Sequence, residues 1–251
     1  MERDSGRWLN GVNLVGYPDD LPSLWEPCSD GTFATKAGGT DLPQASFDPF
    51  AVYVPVECLL RGARDILDFS EETLGAVESF GVEQYLSQGI PGSGTSNPYF
   101  ADTNVDVLHG GTAVTPAVGF AYLEDAIAAT GRGGMIHATP AVLSRLGMDV
   151  LGDGPDLVTV NGTPVVSADG LIGAGGLGLS AADYDITSAS AAEQWIFATG
   201  PVEVRLGPIV NTTLRDSLDT GSNLVVYRAE RYVLATWDTA LQAAVLVDWS
   251  T

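Results

Sequence analysis

Only one lysine, Lys36, occurs in this 251-residue chain, and every other basic residue is an arginine. Against 11 Lys and Arg stand 32 Asp and Glu, giving a net charge of −21 and a pI near 4.1. Such a balance excludes binding to nucleic acid through phosphates, which needs clustered cations to displace counterions. Two readings of the acidity stay open. It is a solvated surface that aids solubility, or a surface that must avoid sticking to a polyanion kept nearby.

Cysteine is equally scarce. Cys28 and Cys58 form no CxxC pair and have no histidine nearby, which excludes a disulfide framework and argues against a metal site. Reduced thiols, as in the cytosol, are the expectation. The two histidines, His109 in a Gly-rich loop and His137 in a buried-looking strand, lack a ligand-spaced partner and an adjacent Ser or Cys nucleophile. His137 reads as a core histidine holding one hydrogen bond. No run approaches the roughly 18 apolar residues of a membrane helix, and residues 1–20 lack a signal-peptide pattern. A soluble protein with no membrane partner is expected. The carboxylates are too widely spread for any acid/base couple to stand out, so no catalytic, cofactor-binding or metal-binding residue is assigned.

What the chain does have is a foldable mix, 45% hydrophobic and 17% charged. Its length suits one large domain or two small ones. With 30 Gly and 14 Pro it has many turns, and strands are expected more than a helical bundle.

Residues 1–16 are polar and read as an arm. Residues 17–46 form a long Gly, Pro, Asp and Thr-rich stretch punctuated by Leu24, Trp25 and Phe33. A loop of that length is uncommon inside a compact domain and is usually functional; packing on a partner chain is expected. FDPFAVYVPVEC (47–58) alternates as a strand. SEETLGAVESFGVEQYLSQG (70–89) carries helix signals: Ser70 as cap, Glu71 and Glu72 at the start, Gly89 as stop, with Leu74, Val77 and Tyr85 marking one side. Thr115–Pro116 and Thr139–Pro140 each place a cap and a first-turn proline ahead of a helix. Between them GMIHAT (134–139) reads as a short buried strand. LVTVNGTPVV (157–166) is a hairpin in which Asn161–Gly162 favours a tight primed turn. Residues 167–193 are Gly, Ala, Ser and Asp-rich and read as a surface loop. Three long strands follow: QWIFATGPVEVRLG, NLVVYRAERYVLATWD and ALQAAVLVDW. The expected class is α+β with an inserted subdomain.

GAGGLG (173–178) matches G-x-G-x-x-G, but no βαβ unit surrounds it and LSAADYDITSAS is a poor helix. A flexible loop is the better reading; a nucleotide-binding enzyme using it is kept as a different-class alternative. The sharper feature is VVYRAERYVLATWD (225–238). Period-two alternation puts Arg231 on one face with Val225, Tyr227, Ala229, Val233, Ala235 and Trp237. Arg228 and Glu230 share the other with Val226, Tyr232 and Leu234. A sheet wetted on one side would gather its charges there. Either one internal ion pair with a snorkelling arginine or a girdle against a helix and a neighbour accounts for this.

The motifs also occur in a recognisable order: a helix YLEDAI, then GMIHATPAVLSRL, GTPVV, WIFATGPVEV, YRAERYVLATWD and ALQAAVLVDW. Ahead of them come an arm, a long loop, a strand and a helix ending at SQG. This order resembles the major capsid protein of tailed bacteriophages, with the Hong Kong ninety-seven type fold. The resemblance implies an N-arm (1–16), an extended loop over a neighbouring subunit (17–46), a peripheral domain (47–113 and 200–251) with 70–88 as spine helix, and an axial domain (114–199). It implies hexamers and pentamers closing an icosahedral shell around DNA that is enclosed without specific binding, in a virion assembled in the host cytoplasm. A separate scaffolding protein and a portal are the implied partners. Trp25, Phe33 and Lys36 would make extended-loop contacts, and Arg228, Glu230 and Arg231 would form inter-subunit or spine-to-strand ion pairs. Some members cross-link a loop lysine to an asparagine beside a glutamate. Lys36 and Asn223 match, but Ala229 stands where the glutamate is needed, so no cross-link is expected. An encapsulin shell is the same-fold alternative, ranked lower because the arm and loop do not resemble that family's opening helix.

Overall fold

The computed structural model describes residues 12–15, 44–59, 66–89, 97–102, 104–147, 150–151, 157–171, 192–213 and 224–250. Two short strands, β1 (Val12–Val15) and β2 (Gln44–Phe47), pair antiparallel, so the end of the polar N-terminal stretch is a strand. β3 (Phe50–Leu59) then runs into the long helix α1 (Ile66–Gln88). β4 (Asp106–Val107), α2 (Pro116–Ala129), β5 (Met135–Ala138), α3 (Pro140–Leu146) and β6 (Val150–Leu151) follow. The chain continues with β7 (Leu157–Thr159), β8 (Pro164–Ser167), β9 (Glu193–Thr199), β10 (Val202–Thr213), β11 (Leu224–Trp237) and β12 (Gln242–Asp248).

These strands form a three-stranded antiparallel sheet, β10-β11-β3, and a seven-stranded mixed sheet, β4-β12-β9-β5-β8-β7-β6. The chain passes between the sheets at two short joints, Gly200–Pro201 and residues 238–241. One core lies under α1 and reaches into the large sheet: Phe47, Phe50, Tyr85, Phe100, Phe197 and Trp237 belong to it. The second lies between α2, α3 and the large sheet, around Leu123, Ile136, Val142, Ile196 and Val245. The α+β class expected from the sequence is what the chain adopts.

β10 and β3 are the two edges of the small sheet, and both carry a proline. Gly207 and Pro208 oppose Tyr232 alone, a bulge that shifts the register between Leu206 and Ile209. β3 pairs with β11 without interruption through Pro55, so the N–H that Pro55 lacks belongs to the free side of the strand.

Several local expectations need correction. Ser70 does not cap α1; the helix begins a turn earlier at Ile66, and Ser70 is fully buried inside it. Its hydroxyl donates to the Leu67 carbonyl at 2.7 Å and lies 3.2 Å from Oδ1 of Asn211 on β10, while Asn211 Nδ2 donates to Glu71. Contact with the sheet, not capping preference, places this turn. Val77 is 44% exposed, so the inward stripe is Leu74, Val82, Tyr85 and Leu86 instead. Gly89 does stop the helix, in the left-handed region at φ +70° with its N–H on the Tyr85 carbonyl. Both threonine–proline signals start helices, α2 and α3, without a side-chain cap bond.

The hairpin is present, but its loop has three residues instead of two. Leu157 pairs with Val165 and Val158 with Pro164, and Thr159 N–H reaches the Thr163 carbonyl. Gly162 takes φ +87° and donates to the Thr159 carbonyl, the bulged turn that three-residue loops use. The segment read as a surface loop starts in the core, since Ala168 and Leu171 are buried; residues 172–191, with GAGGLG, lie outside the described residues.

Candidate functional site

β11 carries charge on both faces because its side chains alternate without a break while β3 and β10 flank it. Arg231 shares the inner face with Ala229 and Val233, both fully buried against α1. Its Nη1 donates to both carboxylate oxygens of Glu78, at 2.9 and 2.8 Å. The two side chains keep only 18% and 19% of their exposure, so the pair is screened weakly by water. It ties the middle of α1 to the middle of β11. Arg231 Nε is buried beside it without a partner.

Arg228 and Glu230 lie on the outer face. Their Nε and Oε2 are 3.1 Å apart. Arg228 Nε nonetheless makes no aligned hydrogen bond, so the contact is one of charge alone. The Arg228 guanidinium stands 5.8 Å from the ring centre of Tyr53, within cation–π reach. Register places Glu230 between Val210 on β10 and Tyr53 on β3. Tyr53, Tyr232 and Val210 are about half exposed. The result is an ion pair set among tyrosines on a sheet face that none of the described segments covers.

Trp25, Phe33, Lys36 and Asn223 lie outside the described residues. Glu78 was missed by sequence reasoning, although a signal existed. It stands four residues after Leu74 and seven before Tyr85, so it interrupts the apolar stripe of α1 as Arg231 interrupts β11.

His137 is 4% exposed and lies where α1's core meets the large sheet, with its ring 4.6 Å from that of Phe100. Thr199 Oγ1 donates to the Gly200 carbonyl, so it accepts from His137 Nε2–H at 2.8 Å. Burial pushes the imidazole pKa down to about 3, and the ring is neutral. His109 is strained at φ +52° and faces the Tyr122 hydroxyl at 3.2 Å. Among the described residues no group of three His, Cys, Asp or Glu gathers for a metal, and no helix is long and apolar enough to cross a membrane.

A cleft of about 380 Å³ opens beside α1. The inner-face row of β10, Val202, Val204 and Leu206, forms its floor, and Val82, Glu83 and Leu86 form its wall. Met135 and His137 of β5 line it from the large sheet, and Phe100 from the turn that follows α1.

No protein-family description matches the sequence, and no curated protein does. Solved structures do. The capsid of an empty GTA particle aligns over 97% of this chain and 89% of its own, at 14% identity and a TM-score of 0.54. A chain from Mycobacterium phage Adephagia aligns over 95% and 84%, at 11% identity and a TM-score of 0.54. The SrpI encapsulin of Synechococcus elongatus aligns over 82% and 76%, at 13% identity and a TM-score of 0.50. The architecture is therefore that of shell-forming structural proteins. More particularly, it is the Hong Kong ninety-seven type fold of phage and GTA capsid proteins, shared with an encapsulin shell.

Proposed function

We propose that this chain is the major shell subunit of a tailed-phage-type virion, assembling as hexamers and pentamers around packaged double-stranded DNA. The role is structural, not catalytic. The observation that carries the reading is the extent of the GTA capsid likeness, nearly end to end on both chains. Charge supports it: at −21 per subunit, a shell lining repels DNA and lets it slide. On this reading residues 1–16 are the N-arm, 17–46 the extended loop, 47–113 and 200–251 the peripheral domain, and 114–199 the axial domain. α1 is then the spine helix, and Glu78–Arg231 is the pair that fixes it to its sheet. Arg228 and Glu230, with the tyrosines around them, serve contacts with a neighbouring subunit, as do Trp25, Phe33 and Lys36. A separate scaffolding protein and a portal complete the assembly.

An encapsulin compartment is the second reading, favoured by the SrpI likeness alone. Electron microscopy of purified particles, with their contents extracted, separates the two. Icosahedral shells holding nuclease-protected DNA are expected. Shells holding a cargo protein and no DNA would establish the encapsulin reading, and a monomer with no particles would overturn both.

A further inference from the structure

α1 covers β11, β3 and the Asn211 end of β10, but among the described residues nothing covers the inner face of β10 at Val204 and Leu206. A sheet face rich in apolar side chains is normally covered by a second layer. Here Val204 and Leu206 are 42% and 50% exposed on a strand whose outer face already points to solvent through Glu203 and Val210. This row is the floor of the cleft, and it belongs to an edge strand of the small sheet. Apolar exposure continues from it around α1 to Phe80, 48% exposed.

The rim has a charge requirement. Glu83 accepts hydrogen bonds from Gly170 N–H at 2.9 Å and from the Asp169 backbone, while the Asp169 carboxylate adds further negative charge. Burial raises its pKa, and among the described residues no cation acts on it. By contrast Glu78, one turn earlier on the same wall, is already neutralised by Arg231. The cleft thus asks for an apolar side chain to cover Val204 and Leu206, with a cation beside it to meet Glu83.

We propose that a second copy of this chain fills this cleft, placing an apolar side chain on the β10 row and an arginine or the lysine against Glu83. The inference rests on the shell reading above. That reading supplies the reason for choosing a copy over a foreign partner: a shell subunit must bury surface against its own kind. A chain with 11 basic residues and 32 acidic ones gains most where each cation meets an uncompensated carboxylate. An apolar centre with polar groups at its rim is also the usual anatomy of a contact between identical subunits.

The test pairs Leu206→Asp with Leu206→Met, and adds hydrogen exchange on the wild-type protein. Particle yield is read by sedimentation and electron microscopy, and folding by circular dichroism and melting. The expected result is at least a tenfold loss of particles for Leu206→Asp with a folded subunit, and wild-type yield for Leu206→Met. Wild-type particles should also show slowed exchange over residues 202–206 relative to dissociated subunits. That second arm decides the matter if the aspartate variant fails to fold. Normal particle yield from a folded Leu206→Asp, or equal exchange in particles and subunits, overturns the proposal and leaves the cleft to a foreign ligand or to none. A wild-type protein that forms no particles at all refutes the shell reading itself, a different outcome.

Discussion

Acidifying the protein through the range where free histidines titrate should destabilise it by way of His137. The folded imidazole has a pKa of about 3, against 6.5 for an ordinary histidine. Between those values the unfolded chain binds a proton that the folded chain refuses. Stability is therefore fully present above pH 6.5, falls as the pH drops from there toward 3, and levels off below 3. At about 1.4 kcal/mol per unit of pKa, the whole window is worth about 5 kcal/mol, and a sample at pH 4.5 has lost about 3 kcal/mol of it. Losses of that size are a large share of the stability of a domain. His137→Gln removes the titration while keeping a side-chain donor for Thr199 Oγ1. At neutral pH the variant should be weaker by about 1 to 2 kcal/mol, through the lost ring contact with Phe100. Urea denaturation of dissociated subunits, done in parallel on both proteins from pH 7.5 to 4, gives the difference as a function of pH. Carboxylates titrate alike in the two and subtract out. The wild-type advantage should shrink below pH 6.5 and reverse by pH 4.5. A difference that stays flat across this range would refute the reasoning.

The pair between α1 and β11 should behave as a buried one. Arg231→Leu alone should cost about 2 to 3 kcal/mol in urea denaturation because Glu78 is left uncompensated, and Glu78→Leu combined with Arg231→Leu should recover most of that. Arg228→Ala should cost under about 1 kcal/mol of subunit stability, since its contact with Glu230 is partly exposed and poorly aligned. Its effect should instead appear as reduced particle yield by electron microscopy; unchanged yield would remove Arg228 from the proposed contacts. Gly162→Val should lower stability by about 1 to 2 kcal/mol, because a branched side chain is forced to φ +87°, whereas Gly162→Asn should cost less. Melting temperatures of the two variants check this.

Signals made by covalent geometry were the most legible in the sequence. Pro116 and Pro140 fix their own φ and lack an N–H, so the helix starts they mark do not depend on the rest of the fold. The alternation in β11 likewise placed Arg231 apart from Arg228 and Glu230, because period two belongs to any strand. What failed were features settled by contacts between distant segments. Ser70 looks like a cap locally, yet Asn211 of β10 draws it beneath the helix. Asn161–Gly162 announces a turn, but the register of Leu157 against Val165 sets the loop length. Glu78 and Arg231, 153 residues apart, were each visible as an oddity in an apolar stripe. Nothing in one segment announces the other, and only the fold makes them a pair.

Pro55 and Pro208 sit on the two free borders of the small sheet. A strand arriving at either border finds no continuous row of donors and acceptors to copy, so the sheet cannot lengthen by recruiting strands from other molecules. On the proposed shell reading, in which many copies gather, that removes the cheapest route to open-ended fibrils. Copies are left to meet through side chains, whose shapes fix an angle between neighbours, and an association with a fixed angle can curve and close.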